Sequence, residues 1–204
     1  MADTEIRAYC FLDTMQPQFA SFQATIAQGF LPVAGQSALF IEVAPGMQIQ
    51  KITDIACKAT AVMPGMQIVE RAFGMLEVHH ADQGEVRQAG EAILESVGVK
   101  LSSVTKPKVS TSSIIRKITD YHTMLINRTR HGGMLLGGQT LYILEVEPAA
   151  YIHLAANEAE KASNINLLEL RGYGAFGRLF LGGEEADVVV AAEAAESAIK
   201  SIGA

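Results

Sequence analysis

Apolar residues fall along this chain in short runs whose period changes from one run to the next. Residues 6–12 (IRAYCFL) and 37–43 (SALFIEV) are short, apolar and rich in β-branched and aromatic side chains, which predicts two strands. Between them, residues 17–29 place Phe19, Phe22 and Ile26 on one helical face. Pro45 opens a second helix, where its missing N–H costs nothing, and Ile49, Ile52, Ile55, Ala56 and Ala59 form its apolar face. Residues 66–71 and 74–80 read as two strands joined at Ala72-Phe73. Residues 85–97 read as a last helix, closed by Gly98.

The same order then recurs. GQSALFIEVAP starts at Gly35 and GQTLYILEVEP at Gly138, an offset of 103. Over the 43 gap-free positions from Gly35 to Glu77, 13 residues are identical to those 103 positions later, including Ala72-Phe73-Gly74 and Ala175-Phe176-Gly177. Agreement on that scale marks a tandem duplication, and a repeat decides the fold before any single motif does. The joint, residues 100–113 (KLSSVTKPKVSTSS), has no periodicity and is rich in Ser, Thr, Lys and Pro, so it reads as a linker. The expected organisation is a first domain at 1–103, a linker at 104–113 and a second domain at 114–204. Each is an antiparallel sheet flanked by helices, an α+β unit.

Composition narrows the function. Hydrophobic residues make up 49% and charged residues 19%, which suits two packed cores and not disorder. A net charge of −6 supplies no basic footprint for nucleic acid. No apolar run approaches the roughly 18–20 residues of a membrane span, and the N-terminus lacks signal-peptide organisation. Cys10 and Cys57 form no motif; they are expected to be buried free thiols in a reducing cytoplasm, neither a disulfide nor a metal site.

Candidate chemistry is sparse. His79 and His80 are adjacent, so on a strand they point to opposite faces and do not make one metal site. His122, His131 and His153 have no ligand spacing. The glycine-rich HGGMLLGGQ (131–139) lacks the Gly-Lys-Ser/Thr of a phosphate loop. No catalytic group, metal or cofactor is expected.

The repeated order of strand, helix ending in Lys-Ala, two strands around a small-residue loop and Ala-rich helix resembles the bacterial microcompartment shell domain. The most specific stretches are EVEPAAYIHLAANEAEKASNINLLEL and YGAFG before GRLFLGG. In both repeats a further strand and helix, residues 6–29 and roughly 114–132, come before the part shared with the ordinary domain. That resembles the circularly permuted, tandem-domain class of shell proteins. The resemblance implies a structural tile and not an enzyme: a homotrimer imitating a hexagonal tile, single or stacked as two trimers. It also implies neighbouring shell proteins as partners and a cytoplasmic place in the microcompartment shell. Its central pore would pass metabolites and be lined by Glu70, Arg71, Ala72 and Phe73 of repeat one and by Tyr173, Gly174, Ala175 and Phe176 of repeat two. The Glu70-Arg71 pair resembles the gated pores of that class. Lys58 and Lys161 would lie at the tile edge. Neither cysteine falls in a pore loop, so no iron–sulfur cluster is implied.

Each feature also has a plainer reading. Lys58 and Lys161 suit a solvated helix end near the negative pole of the dipole, and Glu70-Arg71 suits an ordinary exposed ion pair. A small-molecule sensor or enzyme on a duplicated α+β fold is the alternative function. It would need a nucleophile–base pair, a carboxylate dyad or a metal cluster, and none stands at matching positions.

Overall fold

The computed structural model describes residues 4–128 and 131–203. Repeat one runs β1 (Glu5–Leu12), α1 (Pro17–Ile26), β2 (Ser37–Ala44), a 3₁₀ turn (Gly46–Gln48), α2 (Ile49–Ala59), β3 (Met63–Glu70), β4 (Phe73–His80) and α3 (Gln83–Val97). Repeat two runs β5 (Lys108–Ile115), α4 (Asp120–Asn127), β6 (Thr140–Glu147), a 3₁₀ turn (Ala149–Tyr151), α5 (Ile152–Ala162), β7 (Asn166–Arg171), β8 (Gly177–Gly183) and α6 (Glu185–Gly203). Among the described residues these strands form two four-stranded sheets, ordered β1-β2-β4-β3 and β5-β6-β8-β7, with antiparallel pairing throughout.

Strand β2 is buried on both faces, which is why its sequence is a nearly unbroken apolar run. One face sends Leu39, Ile41 and Val43 against Ile49, Ile52 and Ala56 of α2 and Val86, Ala89 and Ile93 of α3. The other face sends Ala38 and Phe40 against Phe19 and Phe22 of α1. That cluster continues without a break into Tyr151, Ile152, Ala155 and Ala156 of repeat two. The boundary between the repeats is therefore part of the core. Helix α3 starts at Asp82, whose carboxylate accepts from the Gly84 N–H at 2.7 Å, and stops at Gly98 in the left-handed region (φ 71).

Several sequence expectations need correction. The strand expected to begin near residue 114 begins at Lys108, so residues 108–113, read as linker, belong to it. β5 pairs only with β6, and five of its eight side chains are polar and exposed, so it lacks the apolar alternation that marks a half-buried strand. The helix expected to reach residue 132 ends at Asn127, and residues 129 and 130 lie outside the described residues. Ala59 is exposed, not part of the α2 core face. Cys10 is buried as expected but Cys57 is exposed; both are free thiols.

Candidate functional site

The two loops read as pore-lining are hairpins at the ends of β3–β4 and β7–β8. In repeat one Glu70 pairs with Phe73, so the turn proper is Arg71-Ala72 and Phe73 is already strand. Arg71 holds a left-handed conformation (φ 52), rare for a side chain other than glycine. Phe73 lies under the Arg7 guanidinium, 3.7 Å from its ring centroid. In repeat two the strands stop sooner and residues 172–176 form a longer loop, with Gly174 at φ 94. Phe176 is 39% exposed, whereas its match Phe73 is half-buried. The shared Ala-Phe-Gly has a packing cause. A Cβ at Gly74 would collide with the Gly46 carbonyl oxygen, and one at Gly177 with that of Ala149. Each glycine lets its hairpin press on the preceding 3₁₀ turn.

All eight loop residues line one cleft of about 390 Å³, together with Arg171 and Arg178. The expected Glu70–Arg71 pair does not form. Glu70 instead meets Arg171 of repeat two at 3.6 Å, where Arg171 ends β7 beside it. Arg171 also stacks on Tyr173, 4.8 Å from its centroid. Arg178 is turned to Glu145 at 2.8 Å. Among the described residues Arg71 has no ion-pair partner, so three arginines face one lining carboxylate and the cleft is cationic. Sequence reading missed Arg171 and Arg178. Both directly flank the second loop, but they fall opposite Ile68 and Met75 in the repeat, where no charge drew attention to them.

Lys58 and Lys161 each stand in the last turn of their helix, exposed, and bridge backwards to Asp54 (2.7 Å) and Glu158 (3.7 Å). His79 is buried and bonds Glu77 at 2.9 Å, and His153 is buried against Phe40 at 3.8 Å between centroids. Among the described residues no cluster of three His, Cys, Asp or Glu is placed to hold a metal.

The junction between repeats carries the polar contacts that sequence reading did not foresee. Helix α1 begins with Gln16-Pro17 and has no side-chain cap of its own. Glu160 of α5 supplies one, accepting from the Gln18 and Phe19 N–H groups at 2.7 Å each. Asn157 accepts from the Gln16 N–H at 2.9 Å, and Glu42 of β2 accepts from the Ala150 N–H at 3.1 Å. The two repeats are thus joined by hydrogen bonds that are part-buried at Gln16, Gln18 and Phe19 and fully buried at Ala150.

Residues 6–103 match the family described as the CsoS1D N-terminal domain. The chain is 50% identical over 198 residues to the carboxysome shell protein CcmP of Synechococcus elongatus, across 97% of this chain and 93% of that one. It is 50% identical over 199 residues to the carboxysome shell protein CsoS1D of Hydrogenovibrio crunogenus, across 97% of each. Two solved structures from the RMM microcompartment share the fold. The fused permuted hexameric shell protein MSM0275 has a TM-score of 0.95 at 43% identity, over 98% of both chains. The double ringed trimeric shell protein MSM0271 has 0.93 at 39%, over 98% of this chain and 97% of that one. With two permuted α+β units in tandem and relatives this similar along nearly their whole length, the chain belongs to the CcmP and CsoS1D family of microcompartment shell proteins.

Proposed function

We propose that the chain is a structural, non-enzymatic tile of a bacterial microcompartment shell, in which three copies close a ring of six similar domains around a gated metabolite pore. The first domain is 1–103 and the second begins with β5. The observation that carries the reading is the shared cationic cleft. Residues 70–73 and 173–176 lie on one cleft, and Glu70 and Arg171 join the two hairpins, as lining of a common channel requires.

Unmatched faces at the two ends of the chain support the ring. Helix α1 buries Phe22 on repeat two, whereas its counterpart α4 leaves Tyr121, Met124 and Leu125 84%, 68% and 62% exposed. Ala150 and Asn157 of repeat two are buried under repeat one, whereas their counterparts Met47 and Asp54 are exposed. Two different faces left open at opposite ends make a head-to-tail contact, which closes a ring when the rotation allows. The relatives' description as hexameric and trimeric agrees with three two-domain copies per ring. Lys58 and Lys161 then stand at the outer edge, towards neighbouring shell proteins. Apolar loop residues Leu31, Val33, Met134 and Leu136, all about half exposed at matching positions, give a face on which a second trimer would stack. Light scattering tests the reading: it predicts three times 21.8 kDa, or six times for stacked rings. A stable monomer or dimer at micromolar concentration contradicts it.

A further inference from the structure

We infer that Glu145 clasps the next copy of this chain, its carboxylate accepting a hydrogen bond from the Met47 backbone N–H of that second copy. The inference rests on the trimer reading and adds the contact that joins one copy to the next. Its template lies inside the chain. Glu42 is 1% exposed, and both its oxygens are matched: Oε1 receives the Arg7 guanidinium at 2.8 Å, and Oε2 receives the Ala150 N–H at 3.1 Å. A carboxylate is tolerated at that depth because charge-assisted hydrogen bonds replace its water.

The offset of 103 carries Glu42 to Glu145 and Ala150 back to Met47. Secondary structure obeys the same offset here: β2 and β6, the two 3₁₀ turns, and α2 and α5 match end for end. Arg7 occupies the irregular step of β1 between Ile6 and Ala8, where the extra residue re-aims its side chain at Glu42. The equivalent step in β5 holds Ser110, too short to reach a carboxylate. Repeat two supplies the arginine from the other neighbouring strand instead: Arg178 of β8, directly across from Glu145, donates to Oε1 at 2.8 Å. Thr111 donates to the other oxygen at 3.1 Å. The guanidinium–carboxylate pair is thus kept although its source has moved, and the carboxylate is aimed before any partner arrives.

What Glu145 lacks is the backbone donor that Glu42 has. Met47 stands at the donor position of repeat one and is 67% exposed, where Ala150 is fully buried. Seating the 3₁₀ turn of one copy against β6 of the next covers both residues at once. It also carries α4, with Tyr121 and Leu125, onto α2 of the neighbour, as α1 already lies on α5.

Two measurements test this on the full-length protein. In a Cys57→Ser background, Glu145→Cys and Met47→Cys are combined and treated with a short bismaleimide. Covalent dimers and trimers are expected, with no larger ring product, and neither single-cysteine protein should give them. Separately, Glu145→Ala is expected to raise the concentration at which trimers half-dissociate at least tenfold, and Glu145→Gln, which keeps an acceptor, to raise it less. If wild type is trimeric but the double-cysteine protein stays uncrosslinked, or Glu145→Ala changes dissociation less than twofold, the clasp is wrong and the trimer reading stands. If wild type is monomeric, the trimer reading falls and the clasp with it. Should Glu145→Ala fail to fold, the crosslink alone decides.

Discussion

Glu70 and Arg171 come from different repeats and meet at 3.6 Å across the cleft, each about two-fifths exposed. The contact ties the two hairpins together by a bond weak enough to break. An ion pair this exposed contributes about 0–1 kcal/mol, so a hairpin with Glu70 released lies close in free energy to the one observed. Arg71, already strained at φ 52, is the cation nearest in sequence to take Glu70 instead. On the proposed gate, two states separated by so little would both be populated, and an anion that prefers one would shift the balance.

Gate behaviour should therefore respond to either partner. Arg171→Ala is expected to free Glu70 and give more than one hairpin conformation in a reconstruction. Glu70→Ala with Arg71→Ala should remove the alternation altogether. Both should change flux of anionic metabolites across assembled shells at least twofold, with folding stability altered by less than about 1 kcal/mol. Unchanged hairpins and unchanged flux in both variants would sink the gate.

The proposed place of Lys58 and Lys161 at the tile edge predicts a separation of assembly levels. Long lysine stems lie along a neighbour while the ammonium finds an acceptor. Lys58→Asp with Lys161→Asp should abolish sheets under the electron microscope while the mass in solution stays that of the trimer. Sheets indistinguishable from wild type would remove both lysines from the edge.

Glu160 caps the uncapped start of α1 from the other repeat, whereas α4 begins with its own cap, Thr119 accepting from the His122 N–H. Glu160→Ala should cost about 1–2 kcal/mol, as loss of a helix cap does. That corresponds to a melting temperature lower by about 3–6 °C for a chain of this size. Glu160→Gln should cost less. A melting temperature for Glu160→Ala within a degree of wild type would show that water caps the helix equally well.

How far the sequence could be read differs from element to element. The 103-residue offset placed β6 and α5 because identities mark both repeats there. It did not reveal the start of β5, whose Lys-Val-Ser-Thr-Ser-Ser edge has one solvated face and no apolar alternation. The β3–β4 hairpin was legible as small residues between two apolar runs, whereas the reading of residues 70–73 and 173–176 as pore lining rests on the family resemblance. Arg171, Arg178 and Glu160 were not legible, because each works through a partner far away in sequence and stands opposite an uncharged residue in the other repeat. Cys57 was expected inside because free thiols usually are. It is exposed because it occupies the face of α2 that corresponds to the covered face of α5.

His153 gives a pH prediction. Burial holds its imidazole down to about 3, from an ordinary 6.5. Below pH 6.5 the unfolded chain takes up a proton that the folded chain refuses, so this residue's contribution to stability is lost as pH falls from 6.5 towards 3. The loss between pH 7 and pH 5 is about 2 kcal/mol. Glu42 and Glu77, whose carboxyls burial pushes up, act in the opposite sense. The quantity to compare is therefore the difference from His153→Gln, which installs what Gln50 supplies in repeat one. Chemical denaturation should show the variant losing less stability than wild type on acidification. Parallel pH profiles would place His153 outside the titration.

A three-dimensional reconstruction of the assembled protein by electron cryomicroscopy tests the central claim most directly. The account predicts three chains around one axis, with the residue 70–73 and 173–176 hairpins alternating at its centre and Lys58 and Lys161 at the rim. An assembly in which those hairpins lie away from the axis, or in which two chains pair about a twofold, would contradict it.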